Sequence, residues 1–77
     1  MRAITNITIR VEGKTVTMFL TYNGDANDYS FNNYKSVEDA INSVKSINDP
    51  YFPIKTNSYR LLKIKGNKTL SDETKTL

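Results

Sequence analysis

The sequence contains neither cysteine nor histidine, and this double absence narrows the chemistry open to it. Without cysteine the chain has no disulfide and no thiolate, and without histidine it lacks the commonest general base and the commonest metal ligand. Zinc sites, Cys–His pairs and Ser–His–Asp triads are therefore excluded. We expect a protein that is not an enzyme and that needs neither a metal nor another cofactor.

Long apolar runs are also missing from the sequence. No stretch approaches the roughly 20 apolar residues of a membrane-spanning helix. Met1 and Arg2 are followed by Ala-Ile-Thr-Asn, a pattern that does not fit a secretory signal. We therefore expect a cytoplasmic protein with no membrane partner. A chain of 77 residues makes one domain with a small core, and forming a homodimer would bury more of its surface.

The first part of the chain has the period-two pattern of a β-hairpin. Ile7, Ile9 and Val11 alternate with polar residues, and Val16, Met18 and Leu20 repeat the pattern after a turn at Glu12-Gly13. For these two apolar rows to share one face, the loop must hold an even number of residues. Glu12-Gly13 alone or Glu12 to Thr15 would both satisfy that condition.

The middle of the chain predicts a turn, a short strand and one helix. The segment from Asn23 to Asp28 is rich in turn-forming residues and departs from the EF-hand calcium pattern. A third strand over residues 29–32 would direct Tyr29 and Phe31 inward. Ser36 predicts the N-cap of a helix that extends to about Ile47. Its apolar stripe is formed by Val37, Ala40, Ile41, Val44 and Ile47.

The last part of the chain predicts one long strand followed by a tail. Ile54 to Ile64 fits a strand that ends at Gly66-Asn67, and residues 67–77 lack periodicity. The expected order is β-β-β-α-β, in one α+β domain over residues 1–66 with a flexible C-terminal tail over 67–77. In this fold the helix packs on one face of an antiparallel sheet of about four strands and leaves the other face uncovered.

Acidic and basic residues are concentrated in different parts of the chain. Residues 51–70 include Lys55, Arg60, Lys63, Lys65 and Lys68 and no carboxylate, whereas residues 23–50 are mainly acidic. A surface divided in this way favours a partner that is itself charged.

The expected partner-binding site is the uncovered sheet face. If Ile54, Leu62 and Ile64 point at the helix, their neighbours in the final strand point away from it, next to the outward row of the hairpin. Aromatic and cationic side chains would then be interleaved on one surface. The expected site consists of Arg10, Phe19, Lys55, Tyr59, Leu61, Lys63 and Lys65.

Three interpretations of that surface remain open at the level of sequence. It could be the apolar centre of a protein interface with a charged rim, or a nucleic-acid surface on which bases stack. Alternatively, Tyr59 and Leu61 belong to the core, the last strand bulges, and the lysines are ordinary solvated residues that protect a sheet edge.

We expect a small protein-binding or regulatory module, such as an inhibitor that a phage or another mobile element directs at a host protein. The composition agrees with that origin, because Asn, Lys, Ile and Tyr, which have AT-rich codons, are plentiful. The alternative function is nucleic-acid binding through the basic, aromatic-containing outer face.

Overall fold

The computed structural model describes residues 1–77 and has five strands and one helix. The elements are β1 (Ile4–Glu12), β2 (Thr15–Tyr22), β3 (Asp25–Tyr34), α1 (Val37–Lys45), β4 (Ser58–Lys65) and β5 (Lys68–Thr76). They form one mixed sheet in the order β3-β2-β1-β4-β5, in which β1 and β4 are parallel and the other neighbours are antiparallel. The predicted α+β class is confirmed, whereas the sheet is larger than expected and is mixed.

Two-residue turns connect the first three strands. Glu12 pairs with Thr15, so the β1–β2 loop consists of Gly13 and Lys14, and Gly13 has a positive φ of 60°. The loop has an even number of residues, as expected. It begins one residue later than the predicted Glu12-Gly13 turn. The β2–β3 turn is Asn23-Gly24, with φ values of 54° and 69°. Positive φ at both central residues is typical of the type I′ turns that close β-hairpins.

The helix begins as the sequence predicts. Ser36 is the N-cap, and its hydroxyl oxygen accepts a hydrogen bond from the backbone N–H of Asp39 at 3.1 Å. Ala40 and Val44 are completely buried, while Val37 and Ile41 are partly buried against the same core. Regular helix ends at Lys45, two residues before the predicted end at Ile47, which still packs against the core.

The core lies between α1 and one face of the sheet. The helix contacts β1, β2 and β3 but neither β4 nor β5. The connector after the helix returns to β1, where Ile54 bridges to Ile4 and the Lys55 N–H donates to the Ile4 carbonyl at 2.8 Å. The buried apolar residues are Ile4, Ile7, Ile9, Val16, Met18, Tyr22, Ala40, Val44, Tyr59 and Leu61.

The C-terminal segment departs from the sequence prediction in two respects. The final apolar strand does not begin at Ile54, which makes only an isolated bridge; β4 begins at Ser58. Residues 68–76, expected to lie in a tail without regular structure, form β5 along β4. Backbone pairing requires no apolar alternation, and β5 is an almost entirely exposed strand that has none.

No helix of this structure combines the length and the apolar character needed to cross a membrane.

Candidate functional site

The sheet has two faces of different composition. The covered face is the one that α1 packs against, and it includes Ile9 with its neighbours Met18 on β2 and Leu61 on β4. The open face is the opposite one, which no helix covers. Its residues on the central three strands alternate with the core residues. They are Thr8, Arg10 and Glu12 on β1, Thr15, Thr17, Phe19 and Thr21 on β2, and Arg60, Leu62 and Ile64 on β4.

The prediction that Tyr59 and Leu61 point away from the helix is wrong. Leu61 lies directly beside the fully buried Ile9 in the parallel β1–β4 ladder, so the two side chains share the covered face. Tyr59, two residues earlier, lies on the same face, and both residues belong to the core. Leu62 and Ile64, expected inside, lie on the open face. Tyr59 and Leu61 are therefore core residues, as the alternative interpretation held.

None of the three lysines of the expected site belongs to the strand rows that form the open face. Lys63 pairs with Val11, which places it on the side of Leu61, and Lys65 has the same parity along β4. Lys55 lies in the connector between α1 and β4. All three are exposed, and the structure does not bring them together with Phe19.

An aromatic cluster occupies the corner of the open face formed by β2 and β3. Phe19 pairs with Phe31, and Thr21 pairs with Tyr29, so Tyr29 and Phe31 lie on the side of Phe19. The ring centroids of Phe19 lie 5.8 Å from Phe31 and 6.4 Å from Tyr29, and Tyr29 and Phe31 stack at 6.4 Å. The prediction that Tyr29 and Phe31 point inward is wrong, because their side chains are 53% and 63% exposed.

Arg10 extends the aromatic cluster towards the centre of the open face. Its guanidinium carbon lies 5.3 Å from the centroid of the Phe19 ring, within the range of a cation–π contact. In the cross-strand rows Arg10 lies between Thr17 of β2 and Leu62 of β4. Arg10 and Phe19 are thus the two members of the expected site that the structure brings together.

The other arginine of the open face is neutralised by an ion pair. Arg60 Nε and Nη2 donate to the two carboxylate oxygens of Asp72 at 2.7 and 2.6 Å. These hydrogen bonds hold the pKa of Asp72 below its ordinary value and raise the pKa of Arg60. Glu12 lies on the same face, so the positive charges of Arg10 and Arg60 are balanced by the carboxylates of Glu12 and Asp72. The open face is close to neutral, in contrast to the basic surface that the sequence predicts.

Apart from the open face, an apolar groove lies at the C-terminal end of α1. A groove of about 510 Å³ is lined by Ile4, Leu20, Tyr22, Ile47, Phe52 and the polar pair Asn48 and Asp49. At its rim, the Arg2 guanidinium lies 4.0 Å from the centroid of the Tyr22 ring and forms an ion pair with Asp28. The groove is an apolar surface on the flank of the core, and its polar lining comes from one short segment.

The structure contains no group of three or more acidic residues arranged to hold a metal ion. No protein-family model matches the chain, and neither a curated protein nor a solved structure is significantly similar to it. The candidate site therefore rests on its geometry: an open sheet face with an exposed aromatic corner and Arg10 beside it. Of its members, Tyr29 and Phe31 were missed at the sequence level, since their alternation with polar residues fits either face.

Proposed function

We propose that this chain is a non-enzymatic protein-binding module whose contact surface is the open face. The observation that carries the proposal is the exposed cluster of Phe19, Tyr29 and Phe31, flanked by Arg10. Aromatic residues and arginine are enriched at the energetic centres of protein interfaces. Threonines from β1 and β2 surround the cluster and supply a polar rim.

The placement of charge favours a protein over a nucleic acid as the partner. Binding of single strands combines stacking aromatics with a groove of cations that follows the phosphates. Here the aromatic cluster lies on one face of the sheet, while Lys63 and Lys65 lie on the other side of β4. On the open face Arg60 is already paired with Asp72. A regulatory role, as in an inhibitor of a host protein, agrees with a small module of this kind.

The test compares two double variants, each of which replaces two side chains by threonine. The first variant, Arg10→Thr with Phe19→Thr, changes the open face, and threonine is chosen because it is already the commonest residue there. The second variant, Lys63→Thr with Lys65→Thr, changes the opposite side. Proteins cross-linked to each tagged variant in a host lysate are identified, and the affinity of a purified partner is then measured. We expect the open-face variant to weaken that affinity by about tenfold or more, because aromatic anchors dominate interfaces. The lysine variant should change it little.

A nucleic-acid partner would give the reverse result. Single- and double-stranded DNA or RNA would bind the wild-type protein with an affinity that falls steeply as salt increases. The lysine variant would then lose more affinity than the open-face variant, and its salt dependence would become shallower. This pattern, or a verified protein partner that is insensitive to Arg10→Thr with Phe19→Thr, would overturn the proposal.

A further inference from the structure

The two edges of the sheet are protected to different degrees. An edge strand exposes unpaired backbone N–H and C=O groups, and proteins commonly prevent pairing there with charged side chains or proline. The β5 edge carries Lys68, Asp72, Glu73 and Lys75, in keeping with that rule. The β3 edge reads Tyr-Ser-Phe-Asn-Asn-Tyr over residues 29–34 and contains neither a charged residue nor a proline.

The turn between β1 and β2 determines which backbone groups of β3 are unpaired. In a hairpin with a two-residue loop, the closing pair Glu12 and Thr15 is hydrogen-bonded, and hydrogen-bonded pairs then alternate along the ladder. Odd residues of β2 therefore bond to β1 and even residues bond to β3. The even residues of β3, such as Ser30 and Asn32, face β2 with their backbone groups. Tyr29, Phe31 and Asn33 direct their backbone groups to the outer edge.

We propose that β3 pairs antiparallel with β3 of a second copy of this chain and joins two sheets into one. A two-fold axis perpendicular to the sheet keeps both open faces on the same side. The residues with outward backbone groups must face each other, so Phe31 lies opposite Phe31 or Tyr29 of the second copy. Each copy then contributes its aromatic cluster to one continuous strip across the joint.

The charges at the ends of β3 favour the antiparallel direction. Asp25 and Asp28 lie at its start, and Lys35 directly follows its end. Antiparallel pairing brings the acidic end of one strand beside Lys35 of the other, whereas parallel pairing would bring like charges together. Asp28 already pairs with Arg2, so Asp25 is the carboxylate left for Lys35 of the second copy. The pairing uses backbone groups and holds whether or not the open face binds another protein.

Two substitutions of one residue test the pairing. The Asn33 side chain accepts a hydrogen bond from the Thr17 hydroxyl at 2.8 Å, and both Asn33→Ala and Asn33→Pro remove it. Only proline also removes the outward backbone N–H, and an edge strand tolerates proline where that N–H faces away from its neighbour. In sedimentation equilibrium from micromolar to millimolar concentration, Asn33→Ala should stay dimeric. Asn33→Pro should raise the dimer dissociation constant by about tenfold or more.

Amide hydrogen exchange gives a second measurement that does not depend on the proline variant folding. The backbone amides of Tyr29, Phe31 and Asn33 should become more protected as the wild-type concentration rises, while those of β5 should not. Phe31→Lys should abolish that protection, and Thr69→Lys on the β5 edge serves as its control. A wild-type protein that stays monomeric at millimolar concentration would overturn the proposal. So would a dimer that protects β5 amides, or one that a folded Asn33→Pro variant still forms at wild-type strength.

Discussion

Leu61 and Leu62 are identical neighbours in β4 that lie on opposite faces of the sheet. Leu61 is 6% exposed beside Ile9 in the core, whereas Leu62 is half-buried beside Arg10 on the open face. Successive side chains of a strand point to opposite faces, so position in the ladder alone decides their environment. The contrast shows that the register with β1, and not the apolar character of the residue, determines which part of β4 forms the core.

The same contrast applies to the whole sheet. On the covered face, Ile9 and Val44 are completely buried. On the open face, Tyr29 and Phe31 are large apolar residues that remain mostly exposed, and polar threonines separate them from Leu62 and Ile64. The covered face therefore buries the apolar residues that stabilise the fold, while the open face leaves apolar side chains exposed to solvent.

The largest difference between the two faces should appear when each leucine is truncated. Leu61→Ala removes a buried side chain and leaves a cavity, so we expect it to lower the free energy of unfolding by about 2–5 kcal/mol. Leu62→Ala removes a half-buried side chain that water can replace, and its cost should be about 1 kcal/mol. Urea denaturation followed by circular dichroism measures both. Equal losses would mean that the two faces contribute equally to stability.

Much of the covered face could be predicted from the sequence. The alternation in β1 and β2 predicted the shared apolar rows, and Ser36 with its following stripe predicted the start and the buried side of α1. β4 could not be oriented in this way, because Tyr59 and Leu61 form one apolar row and Leu62 and Ile64 form the other. The pairing of Leu61 with Ile9 shows which of the two rows lies in the core. Those residues are far apart in the chain, so the local pattern of β4 could not reveal the pairing.

The composition of the open face was harder to predict, because an irregularity in the β2–β3 pairing determines which residues of β3 lie on it. A regular hairpin closed by Asn23-Gly24 would place Ala26 opposite Thr21 and direct Tyr29 and Phe31 inward. The irregularity between Thr21 and Tyr22 instead places Tyr29 opposite Thr21, which reverses the face of both aromatic residues. A bulge of this kind leaves little trace in the hydrophobic pattern. The pairing of β5 was missed for a related reason, since its contacts with β4 are mainly backbone hydrogen bonds.

A smaller effect is expected for the one buried polar residue of the open face. Thr17 is 5% exposed, and its hydroxyl donates to Asn33 Oδ1. Thr17→Val keeps the shape and removes that hydrogen bond, so we expect a loss of about 0.5–1.5 kcal/mol in the free energy of unfolding. Thr8→Val, on the same face, should stay within about 0.5 kcal/mol. If both variants are neutral, the hydrogen bond between β2 and β3 does not stabilise the open face.

The smallest effect should come from the ion pair at the β4–β5 side of the open face. Hydrogen bonds from Arg60 lower the pKa of Asp72 in the folded protein relative to the unfolded chain. A lowered folded-state pKa favours the folded state above the unfolded pKa, near 4, and that contribution is lost as the pH falls through the folded value. Asp72→Asn should therefore flatten the decline of the melting temperature between about pH 5 and pH 2.

Glu73→Gln is the matched control for Asp72→Asn, because it removes the same charge from the adjacent position without disturbing Arg60. Both carboxylates are exposed, so salt should weaken the effect of Asp72. Glu73 makes only a longer contact, 3.7 Å, with Lys75, so equal flattening of the acid decline by Glu73→Gln and Asp72→Asn would mean that the hydrogen bonds from Arg60 give Asp72 no special role. If only Asp72→Asn flattens it, the hydrogen bonds from Arg60 to Asp72 stabilise the pairing of β5 with β4.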